Sequence, residues 1–344
     1  MNLSREQCLN MKGVGILLIM VHNYVDLLMG IHCNEMSYTQ AYTDAFVSHA
    51  FSSSAFWYIL SYAGWIGVPL FFFVSGYGLT KKYGSNSELK VFPYLKSHVI
   101  KLWKLLVPVY LLYAVIYHYV FGEYIWWKAM LSVMTFTANF YGDIFFDPGV
   151  YWFFGVILQF YVLFLMFRRL SVRWLYVLLA AFVVIHYIAL YFTGETTMIW
   201  VRHNFTGWGA PFILGMIAAK NGFDIPERWK LPVCIGSFCL LWLCLTWKPM
   251  VPLAELTFVV FAVSLVKMMA FKPMAFIGAI SASIFVVHPF VRMVFYQTIS
   301  PIRGQTTHPV TMTALYIVTA LLLSWGHHIL LKKLSRPSSA AGQQ

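Results

Sequence analysis

The 344-residue chain is 60% hydrophobic and 19% aromatic, with only 10% charged residues and a mean hydropathy of +0.71. A soluble domain carries about 25% charged residues, so lipid must be part of this chain's solvent. The net charge of +12 would suit a nucleic-acid partner, but its placement along the chain accounts for it without one.

In a bilayer every backbone polar group must be satisfied internally, which leaves helix bundles and closed barrels. The apolar runs are long and do not alternate polar with apolar, so helices are expected over barrel strands. Ten spans are predicted, at about 13–32, 56–80, 103–121, 151–168, 174–193, 206–220, 231–247, 253–270, 276–297 and 309–331. The sixth is short, and Pro289 is expected to interrupt the ninth. Residues 124–140 are expected to lie on or dip into the outer interface, with Trp126 and Trp127 at headgroup level. With the N-terminus inside, all of the 24 Lys and Arg except Lys128, Arg202, Lys248, Arg292 and Arg303 fall on the inner side. By the positive-inside rule both ends are cytoplasmic. The fold class is therefore an all-α polytopic membrane protein with about ten transmembrane helices. Residues 1–334 form the integral membrane domain and 335–344 a short disordered cytoplasmic tail. The five cysteines (Cys8, Cys33, Cys234, Cys239, Cys244) lack metal-like spacing. Four read as buried small hydrophobes, while Cys33 faces outward with no evident partner.

The first span, MKGVGILLIMVHNYVDLLMGIH, carries His22, Asn23 and Asp26. His22 lies ten residues past Lys12, about 15 Å along a helix and so near the midplane. Ionisable groups inside a span are costly and point to function. His22 and Asp26 are four apart and share a helix face, so the carboxylate would fix one tautomer of the ring. The bland alternative is a histidine bonded to a neighbouring helix. In the second span, GWIGVPLFFFVSGYGL, small residues including Ser75 and Gly76 let a helix or a ligand approach the backbone. Lys101 and Lys104 share a face at the cytoplasmic mouth of the third span, where they would bind cofactor phosphates or lipid headgroups. His288 and Arg292 lie deep in ISASIFVVHPFVR, with Glu255, Asp26 and Asp143 as candidate partners for the cation. Arg202 and Trp208 at the sixth span, and Asp143 with Trp152 near the fourth, offer the aromatic and polar groups of a sugar surface, or simply an interfacial belt. The chain contains no Walker loop, dinucleotide fingerprint or GxSxG elbow.

The order of a basic residue then His in the first span, GVPLFFFVSGYGL in the second, a basic pair before the third and S-x-x-x-F-x-x-H-P late in the chain resembles the membrane-bound acyltransferase family 3, over about residues 5–331. Nine residues separate Lys12 from His22 where that family has ten, and Met11 occupies the expected place. The resemblance implies an acyltransferase of the cell (inner or plasma) membrane. It would move an acyl group, most often acetyl, from cytoplasmic acyl-CoA to an envelope or lipid-linked glycan. It implies His22 as base or acyl carrier, with Asp26 or Asn23 orienting it. Lys12, Lys101, Lys104, Ser75 and Gly76 would lie on the acyl-CoA side, and His288, Arg292, Arg202, Trp208 and Asp143 on the acceptor side. No metal is expected. The bilayer, acyl-CoA and the glycan are the implied partners, with no nucleic acid. A transporter or flippase with polar groups at mid-depth is the other reading.

Overall fold

The protein is described by a computed structural model over residues 2–86, 88–141, 150–222, 224–269, 271–299 and 308–334. Helices joined by turns and irregular segments account for these residues, with no strand among them. In order they are α1 (Arg5–Met29), α2 (Gln40–His49), α3 (Ala55–Ala63), α4 (Gly67–Tyr83), α5 (Val91–Phe121), α6 (Trp127–Met134), α7 (Trp152–Phe167), α8 (Val172–Phe192), α9 (Glu195–Arg202), α10 (Gly209–Asn221), α11 (Glu227–Thr246), α12 (Ala254–Met268), α13 (Lys272–Ala279), α14 (Ser281–Ile299) and α15 (Pro309–Leu334).

Seven helical segments among the described residues are long and apolar enough to cross a membrane, or eight if α13 and α14 count as one bent span. Each predicted span finds a helix, but α7 has 16 residues and α10 only 13. At about 1.5 Å per residue these reach roughly 24 and 20 Å, short of a hydrocarbon core of about 30 Å. α10 is buried along most of its length, so neighbouring helices, not lipid, surround it. The break in the late segment also differs from expectation. The chain bends by 72° between α13 and α14, at Ile280, while Pro289 sits inside a continuous α14. At eight residues α6 is too short to span; Trp126 and Trp127 beside it are exposed, with Lys128 over both rings. Of the cysteines expected to be buried, Cys239 is exposed.

α1 begins at Arg5, not near 13, because Ser4 caps it. The Ser4 hydroxyl accepts from the Gln7 N–H (3.1 Å) and the Gln7 side-chain oxygen accepts from the Ser4 N–H (2.9 Å), a capping box. The helix ends at Gly30, whose φ of 66° suits a residue without Cβ. His22 therefore lies seven residues before the helix end at Met29, in the second half of α1 and past its midpoint at Leu17.

α1 packs on α13, α4 and α3, and α4 packs on α10. Small residues allow backbone-to-backbone approach. A Cβ on Gly76 would lie 2.1 Å from the Phe212 carbonyl oxygen, and one on Gly215 would lie 2.1 Å from that of Phe73. α3 and α4 form one apolar segment broken by a 3₁₀ turn at Gly64–Ile66. That break lies directly against His22.

Candidate active site

His22 is buried at 4% exposure, and three groups surround its ring. Nδ1 meets the main-chain carbonyl of Ser61. Ser61 lies in the last turn of α3, where carbonyls lack a donor from a following turn. A carbonyl only accepts, so Nδ1 carries the proton and Nε2 of the neutral ring holds the lone pair. Nε2 faces the Glu35 carboxylate at 3.6 Å and the Cys33 sulfur at 3.8 Å. The fit depends on Gly64, where a Cβ would lie 2.2 Å from that of His22. Burial pushes the Cys33 thiol above its ordinary pKa, and His22 opposes that rise. The resting side chain is thus a thiol.

Asp26 does not hold the ring. Its carboxylate lies 3.9 Å from His32 Nδ1, at the wetter end of α1, while Glu35 returns on the segment after Gly30 and takes the place beside Nε2. Asn23 faces α14, where its side-chain oxygen accepts from Arg292 Nη1 at 3.0 Å. An amide of the first span is therefore one partner of the deep arginine.

Glu255 pairs instead with Arg202, in a salt bridge with both side chains fully buried. Arg202 also donates from Nε to the Glu35 carbonyl (2.7 Å) and from Nη1 to the Tyr38 hydroxyl (3.1 Å). Its guanidinium lies 3.9 Å from the Trp208 ring centroid. Trp208 is itself fully buried, stacked between Trp152 and Phe72 and donating to the Arg202 carbonyl. Arg202 and Trp208 are therefore core residues that clamp the Glu35 segment, and no sugar can reach them there. Their apparent position at a span entrance was misleading because the 31–39 segment folds back over them.

Two cavities lie near this centre. One, of about 350 Å³, is walled by Asn23, Glu35, Trp152, His203 and Arg292 among others. His22 is not in its wall; Glu35 stands between them. The second, of about 150 Å³, is lined by Lys12, Ser75, Leu102, Tyr161 and Ser281. Phe153 and Phe285 belong to both walls, with ring centroids 4.8 Å apart, so these rings divide the two spaces. Lys101 lies close enough to Lys12 for their charges to interact. Lys101 and Lys104 are exposed on the turns of α5 that contribute Leu102 and Leu105 to the second cavity.

Lys12 and Ser75, predicted together, thus share a cavity. Gly76 does not join them, since it faces the α10 backbone. His288 is fully buried, and its Nδ1 turns back onto the Ile284 carbonyl at 2.9 Å, in the stretch where Pro289 removes a helical donor. That places it in the helix interior rather than on an acceptor surface. Asp143 lies outside the described residues. Sequence reasoning missed Glu35, Cys33 and Ser61, which only the fold brings to His22.

Helices long and apolar enough to cross a membrane thus enclose a buried imidazole whose carboxylate neighbour lines a cavity. The family model described as an acyltransferase domain matches residues 9–329. The chain belongs to acyltransferase family 3, the membrane O-acyltransferases. No curated protein and no solved structure matches it significantly.

Proposed function

We propose that this membrane acyltransferase moves an acyl group, acetyl by expectation, from cytoplasmic acyl-CoA to a hydroxyl of an envelope or extracellular glycan, with His22 as general base. In this reading the chain crosses the inner or plasma membrane ten times with both ends cytoplasmic. The Lys12 cavity opens inward and the Arg292 cavity outward. The observation that carries the reading is the Ser61 carbonyl on His22 Nδ1, which leaves the Nε2 lone pair aimed at Glu35 in the cavity wall.

Lys101, Lys104 and Lys12 hold the nucleotide phosphates as point charges. The pantetheine arm enters the Lys12 cavity past Ser75, and the thioester comes to the Phe153–Phe285 boundary. Trp152 offers a ring face to the sugar, and Asn23, His203 and Arg292 offer hydrogen bonds. Nε2 takes the proton of the acceptor hydroxyl by way of the intervening Glu35 carboxylate as the hydroxyl oxygen attacks the thioester carbon. The C–S bond breaks, and the departing thiolate takes the proton from the imidazolium. Glu35 stabilises that cation while it exists.

His22→Ala should abolish transfer while the protein still inserts and melts cooperatively; full transfer by this variant would refute the mechanism. Glycan mass spectrometry with and without the gene should show the loss of one acyl increment. Lys101→Ala with Lys104→Ala should raise KM for acyl-CoA, and an unchanged KM removes the phosphate assignment.

A further inference from the structure

His22 Nε2, the Cys33 sulfur and a Glu35 carboxylate oxygen lie within 4.8 Å of one another. Nitrogen to sulfur is 3.8 Å and nitrogen to oxygen 3.6 Å. Around tetrahedral zinc, bonds of about 2.0–2.3 Å put such donor pairs roughly 3.4–3.6 Å apart. The two sides that meet at Nε2 therefore stand within a few tenths of an ångström of a zinc triangle, and the third, sulfur to oxygen, is at most 4.8 Å. The ring is also set as zinc-bound histidines usually are, with its second nitrogen donating to a carbonyl, here that of Ser61. Three donors leave a fourth position for water.

We infer that His22, Cys33 and Glu35 form a binding site for a zinc ion that switches the enzyme off. A thiolate, an imidazole and a carboxylate together select zinc over magnesium or calcium, which prefer oxygen donors. Binding displaces the Cys33 proton to water and changes no oxidation state. The ion with one thiolate and one carboxylate is then neutral, so the buried cluster carries no net charge to desolvate. The neighbouring charges permit it. Arg202 is neutralised by Glu255, and Asp26 adds negative field at Cys33. Glu35 borders the 350 Å³ cavity, which provides the way in. A bound ion takes the Nε2 lone pair, so acyl transfer stops. That inhibitory half rests on the proposed role of His22; the metal site itself does not.

The test uses the full-length protein in nanodiscs, stripped with a chelator and titrated with zinc chloride and, separately, cobalt chloride. One zinc per chain is expected, together with a near-ultraviolet thiolate-to-cobalt absorption. Cys33→Ser should weaken zinc binding more than about tenfold and abolish the cobalt band, and Glu35→Gln should weaken binding with the band retained. Thermal melts check that both variants are folded. Zinc should inhibit transfer by the unmodified protein over the same concentrations at which it binds. A cobalt spectrum without the thiolate band, or equal zinc affinity in Cys33→Ser, overturns the site. The cobalt spectrum does not depend on acyl transfer. Failure of the base assignment is read separately, from His22→Ala in metal-free protein.

Discussion

Arg202 Nε donates to the main-chain carbonyl of Glu35 at 2.7 Å, tying a buried cation to the segment whose side chain faces His22. The same guanidinium is paired with Glu255 and stacked on Trp208. A charge pair with no exposure thus fixes the position of an acid it does not itself contact through the side chain.

Breaking that pair from one side should be severe. Arg202→Ala leaves the Glu255 carboxylate buried without its cation, at a cost of about 3–5 kcal/mol. A large drop in the melting temperature of the purified protein is expected. The double change Arg202→Met with Glu255→Leu should recover most of the stability, yet transfer should stay low because the Glu35 carbonyl has lost its anchor. Full activity in the double variant would mean that the clamp is structural only.

Glu35 and Asp26 can be separated by kinetics. Glu35→Gln should lower kcat by about 100-fold, the low end of the usual range for acid–base catalysis, with KM for acyl-CoA little changed. Asp26→Asn, which alters a contact to His32, should cost less than about threefold on the same scale. A reversed order would return the orienting role to Asp26.

Gly64→Ala inserts a methyl 2.2 Å from His22 Cβ and 2.9 Å from the Leu18 carbonyl oxygen. Overpacking of this kind costs about 1–3 kcal/mol. Because the displaced group carries the ring proposed as the base, activity should fall far more than the melting temperature does. Gly215→Ala, against the Phe73 carbonyl, serves as the contrasting variant. It should show the stability loss with the surviving fraction still active.

Phe153→Ala should join the two cavities and relax the choice of acyl chain. Rates with longer acyl donors relative to acetyl should rise, even though removing a partly buried Phe costs about 3–5 kcal/mol. If the ratio of donors is unchanged in folded protein, these rings do not bound the acyl site.

Much of this was legible in residues. Low charge and long apolar runs gave the helices, and polarity within an apolar helix singled out His22. The shared cavity of Lys12 and Ser75 followed from motifs in the first and second spans. What was hidden depends on how the chain folds back. Cys33 and Glu35 sit 11 and 13 positions after His22, beyond the end of α1 and at no metal-motif spacing. They arrive at Nε2 because Gly30 turns the chain. Arg202 and Glu255, 53 residues apart, were each visible as costly charges. Nothing local encodes their pairing, so Glu255 was as plausible a partner for Arg292. The start of α1 was legible after all, in Ser4 and Gln7, but apolarity alone pointed eight residues too far on.

If the proposed transfer runs from one aqueous compartment toward another, the enzyme must not also become a leak. Phe153 and Phe285 stand between the Lys12 space and the Arg292 space, and neither ring offers a hydrogen bond to sustain a file of water. At this boundary protons and ions would find no conducting thread to follow, and the energised state of the membrane would survive each turnover.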